Sequence, residues 1–184
     1  GSYLEDQDFW RLSGFDRGVK LYSVDKVRIA DVFIIGDLDK SYKNGIVEAT
    51  ISLHNMYSVP FKGSVELSLV DAYGREVTKL AKPAEMLEGE MVELSFYSKV
   101  PKVKVWSHEH PNLYTSVITL KRADGSVVEA TSCRTGFRKV EIRDAQLLLN
   151  GRRLMINGVN LHEHNPATGH VINRDLMLRD IVLM

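Results

Sequence analysis

Hydrophobic and polar residues alternate with a period of two through the middle of this chain. Val47, Ala49, Ile51 and Leu53 fall on one face of a predicted strand, with Glu48, Thr50, Ser52 and His54 on the other. Val65, Leu67 and Leu69 repeat the pattern against Ser64, Glu66 and Ser68, and Val92, Leu94 and Phe96 repeat it against Glu93 and Ser95. Tyr114, Ile118 and Leu120 continue it, with Ser116 as a polar interruption on the apolar face. One apolar and one polar face at this period mark half-buried antiparallel strands. Lys43-Asn44-Gly45, Ala72-Tyr73-Gly74, Leu87-Glu88-Gly89 and Ala123-Asp124-Gly125 supply the residues that tight turns need. Strands are expected near 27–35, 46–54, 63–71, 75–80, 91–98, 113–121 and 127–137, about seven in roughly 110 residues. The expected fold class is all-β, an immunoglobulin-like β-sandwich over residues 25–138.

The pattern changes at both ends. Residues 1–24 are too few to bury a core of their own and must lean on something else. After Phe137, Leu147 to Ile156 reads as a hairpin around the Asn150-Gly151 turn. Gly158-Val159-Asn160 continues as an apolar run in the style of a strand buried on both sides. Asn173 is a suitable helix cap, and Asp175 in the first turn complements the helix dipole. Met177, Ile181 and Met184, with Leu178 and Val182, trace one helical stripe, which is expected to dock on the sandwich or on a neighbouring chain. Strand, loop and helix over 139–184 read as the first βα unit of an α/β domain.

Composition narrows function only by exclusion. Twenty-four basic residues balance twenty-four acidic ones, so no net field draws the chain to nucleic acid or to an anionic membrane. No apolar run reaches the roughly 18 residues of a membrane-spanning helix. Cys133 is the single cysteine, so the sandwich must be held by packing rather than by an internal disulfide. Its thiol is expected to act as a small hydrophobe on its strand. The cysteine count fits a reducing compartment without proving one, because many periplasmic proteins also lack bridges, so bacterial cytoplasm and periplasm both stay open.

Candidate chemistry gathers in Asn160-Leu161-His162-Glu163-His164-Asn165-Pro166. Alternate strand residues share a face, so His162 and His164 would point together and Glu163 away. Such imidazoles, with His170, could ligate zinc; they could be solvated loop histidines; or they could donate hydrogen bonds to sugar hydroxyls. His108-Glu109-His110 reads as a solvated turn, and Trp106 as packing in the core or at a domain interface.

What surrounds the cluster is more specific. Tyr3 to Arg11, Trp106-Ser107 with Pro111-Asn112-Leu113-Tyr114, Gly136-Phe137-Arg138, Leu149-Asn150-Gly151 and Gly158 to Pro166 occur in this order. Together they resemble the β-galactosidases of glycoside hydrolase family 2 along nearly the whole chain. The resemblance implies a short remnant of a sugar-binding jelly-roll domain over 1–24, the immunoglobulin-like domain, and a truncated start of the catalytic (β/α)8 barrel over 139–184. It implies a retaining exo-glycosidase acting on terminal β-D-galactosides, with β-mannosidases and β-glucuronidases as alternatives on the same scaffold. It implies substrate contacts from Asp8, Asn160 and His162, and a monovalent cation, sodium, at Asp8. Magnesium and a homo-oligomeric state belong to the parent enzyme in the same reading. No catalytic residue is implied in this chain, because both catalytic glutamates of the family lie on later barrel strands and Glu163 matches neither. The chain alone is therefore expected to be an inactive structural spacer. Leu161 and Asn165 depart from the family's usual arginine and histidine, and Gly18 from its usual acidic residue. The competing class is a stand-alone carbohydrate-binding or adhesion β-sandwich.

Overall fold

The computed structural model describes residue 15 and residues 18–161, 165–169 and 173–184. Contacts divide the chain into a unit over Tyr22–Met155 and a second one made of Gly1–Leu21 and Ile156–Met184. The tail read as a jelly-roll remnant lies mostly outside the described residues, as does Asp8.

The first unit is built on seven long strands. They are β1 (Val27–Leu38), β2 (Gly45–Asn55), β3 (Phe61–Val70), β4 (Glu76–Met86), β5 (Met91–Val100), β6 (Tyr114–Arg122) and β7 (Val127–Thr135). All pair antiparallel, in a three-stranded sheet ordered β1-β2-β5 and a four-stranded sheet ordered β4-β3-β6-β7. The two apolar faces meet in one core. Val47, Ala49, Ile51 and Leu53 from β2 oppose Val65, Leu67 and Leu69 from β3 and Ile118 and Leu120 from β6, all buried. The seven strands expected from the period-two pattern are therefore present, and β4 continues past its expected end at Leu80 to Met86. Pro83 lies in that extension, on an edge strand where its missing N–H costs no ladder bond.

Two details follow from packing rather than pattern. The register of β1 on β2 shifts between Ile29 and Asp31. The extra residue reverses the parity of the strand: Val27 and Ile29 are buried before it, and Val32 and Ile34 pack on the core after it. The polar interruption at Ser116 is fully buried, and its hydroxyl shares a 2.7 Å hydrogen bond with that of Thr135 on β7. Two hydroxyls facing each other satisfy what neither could leave unpaired in a core. Cys133, by contrast, is exposed on β7, so it does not serve as the small core hydrophobe expected of it. It shares the inward face with its partner Ser116, but β7 is an edge strand and the core does not extend over it there.

On the outer face of the four-stranded sheet, Glu66 sits between two lysines. Its carboxylate is 2.7 Å from Lys121 Nζ and 3.1 Å from Lys79 Nζ. The hydrogen bonds from Lys121 and then Lys79 hold it below the ordinary glutamate range. A carboxylate with a lowered folded-state pKa stabilises the fold above its unfolded value, near 4.3, and that contribution disappears as pH falls through the folded value. Glu66→Gln should therefore cost about 0.5–1 kcal/mol at pH 7, the scale of partly exposed ion pairs. The difference from wild type should narrow as pH falls through the folded value. Urea midpoints measured across that range test this, and a gap that persists at low pH would show that the pair contributes nothing through charge.

In the second unit, α1 (Arg174–Leu183) starts where expected, with Asn173 Oδ1 accepting the Leu176 N–H at 2.9 Å and Asp175 in the first turn. Two expectations for this unit are corrected. Residues 154–161 form no strand, so the buried strand expected at Gly158–Asn160 is not made, and Val159 is exposed. A barrel strand draws its backbone bonds from neighbouring strands, and no described strand pairs with this segment. This chain by itself does not cover the stripe of α1 either: none of its residues is buried, and Met177, Ile181 and Met184 are 47%, 67% and 62% exposed, so of the two expected partners a neighbouring chain is the one that stands. A ten-residue helix buries a face only against a second packed layer.

Candidate functional site

Three motifs distant in sequence meet within the first unit, at the joint between the sandwich and a short ribbon. The ribbon consists of β8 (Val140–Arg143), β9 (Gln146–Leu149) and β10 (Arg152–Arg153), ordered β10-β9-β8. Its first turn, Asp144-Ala145, and its second, Asn150-Gly151, each hold both residues at positive φ. That is the conformation of the type I′ turn, whose twist suits a two-residue hairpin. The Asn-Gly turn is legible in the sequence, whereas Asp144-Ala145 has no glycine to announce it.

Gly136-Phe137-Arg138 runs through the centre of the joint. Phe137 is fully buried and packs edge-on against Tyr114, with centroids 5.1 Å apart. Its carbonyl accepts the Trp106 N–H at 2.9 Å, and the Arg138 N–H donates to the Gly36 carbonyl at 3.1 Å. An added Cβ at Gly136 would lie 3.1 Å from the Trp106 ring, closer than ordinary contact, so the ring would have to shift by a few tenths of an ångström to admit it. The Arg138 guanidinium stands 5.0 Å from that ring's centroid, a cation–π arrangement. Asn150 then ties the ribbon to both: its Nδ2 donates to the Trp106 carbonyl at 2.9 Å, and its Oδ1 accepts the Lys139 N–H at 2.9 Å.

Polar contacts flank this clamp. Tyr42 donates its hydroxyl to Glu141 at 2.7 Å, and the hydrogen bond to Glu141 raises the tyrosine above its ordinary pKa. Lys139 Nζ lies 3.0 Å from the Asp37 carboxylate, whose hydrogen bond raises the lysine in turn. Every one of these groups has its partner inside the joint. Such an arrangement fixes geometry; it offers no unengaged acid, base or nucleophile.

The loop leading into the joint agrees with its expected bland character. Ser107 and His110 close a turn through Ser107 N–H to His110 O at 2.9 Å and His110 N–H to Ser107 Oγ at 3.0 Å. His108-Glu109-His110 is a solvated turn, and Trp106 is a packing residue.

The residues expected to touch substrate are not assembled by the described part of the structure. Asp8 and His162 lie outside the described residues, as do Glu163, His164 and His170. Asn160 is described, exposed and outside regular structure. Beyond it, Asn165 organises a tight turn: its N–H donates to the Gly169 carbonyl at 2.7 Å, and its Oδ1 accepts the Ala167 N–H at 2.8 Å. Among the described residues no group of three or more His, Cys, Asp or Glu side chains is gathered for a metal ion.

Residues 27–138 match the family model described as glycosyl hydrolases family 2, which is more than half of the chain. The chain belongs to glycosyl hydrolase family 2. Residues 140–184 match the TIM barrel domain of the same family. A β-galactosidase of Photobacterium profundum is 43% identical, and one of Priestia megaterium is 37% identical. Each alignment takes in 100% of this chain but 18% of the relative, so the chain spans less than a fifth of the length of the curated relatives it matches.

Among solved structures, a β-glucuronidase of Parabacteroides merdae superposes with a TM-score of 0.70 at 26% identity, over 86% of this chain and 19% of the other. A family 2 member from Bacteroides cellulosilyticus gives 0.77 at 21% identity, over 87% and 21%, and speaks to the fold alone. In this family 2 chain, Lys139 stands between the two matched segments. The clamp of Trp106, Arg138 and Asn150 therefore bolts the start of the barrel segment to the sandwich. That assigns a structural role to the Trp-Ser, Gly-Phe-Arg and Leu-Asn-Gly motifs, which the sequence marked without explaining.

Proposed function

We propose that this chain is part of a retaining β-galactosidase that removes terminal, non-reducing β-D-galactosyl groups. The observation that carries this reading is the match of the whole chain to β-galactosidases at 43% and 37% identity. In this reading the sandwich is a spacer, held at a set angle to the ribbon by the Trp106–Arg138–Asn150 clamp. Asn160 and His162 are assigned the substrate contacts, since amide and imidazole groups donate hydrogen bonds to sugar hydroxyls. Asp8 is assigned a carboxylate contact to the sugar and to a monovalent cation such as sodium; magnesium is assigned no ligand in this chain.

Retention requires two carboxyl groups about 5–5.5 Å apart, one a nucleophile and one an acid/base. Neither role falls to Glu163, so the chain of 184 residues is assigned no turnover of its own.

The test compares the full parent gene product with this chain on p-nitrophenyl β-galactoside and β-glucuronide. The parent should release nitrophenol from the galactoside, with the β-anomer of galactose appearing first by NMR, while the chain alone releases none. Turnover by the chain alone would overturn the spacer role. A parent preferring the glucuronide would carry the second reading, a β-glucuronidase, which the Parabacteroides merdae neighbour favours.

A further inference from the structure

Apart from the clamp, a cleft of about 710 Å³ opens where the β3–β4 turn, the β5–β6 connection and the end of β7 come together. Four cations line it (Arg75, Lys102, Lys104 and Arg134) against one carboxylate, Asp71. That carboxylate is taken: Arg75 holds it through Nη2 at 2.7 Å and Nε at 2.9 Å. Among the described residues, Lys102, Lys104 and Arg134 have no carboxylate within ion-pair distance. Three uncompensated positive charges around one concave surface repel one another, and a concave wall focuses their field on whatever enters.

Their placement is also built. Lys102 sits at φ 51°, a left-handed conformation that costs a residue with a Cβ about 1 kcal/mol, and its N–H is held by Asn44 Oδ1 at 3.1 Å. Lys104 Nζ lies 4.9 Å from the Tyr73 ring centroid and 3.3 Å from its hydroxyl, while Arg75 takes the ring at 5.4 Å. The Lys104 backbone N–H donates to Tyr114 Oη at 2.8 Å, and Arg134 Nη1 donates to Thr115 Oγ1 at 3.3 Å. Two ammonium groups from the β5–β6 connection and one guanidinium fork from β7 line the same cleft, a set that matches a group bearing several anionic oxygens. The volume lies in the range of small-molecule sites, far above that of an inorganic ion, and the lining includes apolar side chains.

We propose that this cleft binds a small organic phosphate, with Lys102, Lys104 and Arg134 holding the phosphoryl oxygens. The site is independent of the glycosidase reading. Calorimetric titration of the 184-residue chain with glucose 6-phosphate, inorganic phosphate and glucose tests it. The sugar phosphate should bind, glucose should not, and inorganic phosphate, of similar charge, should bind more weakly because it leaves the rest of the cleft unfilled. An inorganic phosphate affinity equal to or above that of the sugar phosphate would reduce the cleft to a bare anion hole and overturn the organic part. Lys102→Gln and Arg134→Gln, on exposed residues of different walls, should each weaken the sugar phosphate about tenfold, the loss of one charge-assisted contact, whereas Lys62→Gln elsewhere on the surface should leave it unchanged. Absence of binding at about 10 mM, beyond the weakest useful affinity, or equal binding by all three variants, would overturn the proposal.

Discussion

Replacing Phe137 with alanine will remove about 3–5 kcal/mol from the stability of the sandwich, the cost of emptying a fully enclosed aromatic site. The ring is fully buried and stands edge-on to Tyr114. It also fills the space that Gly45 leaves, since a Cβ at Gly45 would lie 2.5 Å from the ring. The neighbouring backbone is held on both sides, by Trp106 N–H on the Phe137 carbonyl and by Arg138 N–H on that of Gly36. A site fixed in this way cannot collapse onto the hole. Small domains hold only about 5–15 kcal/mol in total, so the variant should lose a large share of its margin. The measurement is the urea midpoint at constant slope. A loss below about 1 kcal/mol would mean that the joint relaxes freely and that the Gly-Phe-Arg motif does not anchor it.

Asn55→Ala is the second substitution expected to be severe. Asn55 is fully buried at the end of β2, and its Nδ2 donates to the carbonyls of Val59 and Leu87, both at 2.9 Å. Its Oδ1 accepts the Tyr57 N–H at 3.1 Å. One side chain therefore ties the β2–β3 connection to the β4–β5 turn. Alanine strands three backbone groups, each costing about 1–3 kcal/mol where water cannot reach it. Asn55→Asp should be as damaging near neutral pH, because the oxygen replacing Nδ2 would face two carbonyl oxygens with no proton between them, while only the other oxygen keeps the Tyr57 N–H. Its pKa would be raised in the fold, so stability should return as pH falls and the protonated acid regains one donor. Thermal melts of both variants between about pH 4 and pH 7 check this. An aspartate variant that is less stable at the acid end of that range than at neutrality would contradict the hydrogen-bond account.

The sequence made the sandwich legible because its strands are buried on one face only. Val47, Ala49, Ile51 and Leu53 alternate with polar residues, so the pattern marks the strand and its inward side together. The Asn150-Gly151 turn and the Asn173 cap were equally readable, since each rests on a residue type whose local chemistry suits that backbone. The β1 bulge and the Asp144-Ala145 turn were not, because neither carries a glycine. Asn55 was missed for a related reason: a buried asparagine looks like a turn residue until its carbonyl partners, 4 and 32 positions away, are seen beside it.

The expected sugar site was legible only through resemblance. Asp8 and His162 lie outside the described residues, and Asn160 is exposed. The uncovered stripe of α1 shows how far periodicity reaches: it names the face of a helix and says nothing of what covers it.

By itself, then, the order of residues determined the β-strands, their inward faces and the positions of the tight turns, because these depend on neighbours a few positions apart. Only the tertiary structure decided how the strands divide between two sheets, that Ser116 finds Thr135, and that Trp106, Arg138 and Asn150 close into one clamp. The same holds for the cations of the cleft, which come from three separate stretches of chain. Those arrangements depend on groups brought together across the core, and local pattern carries no information about which distant partner a satisfied side chain will meet.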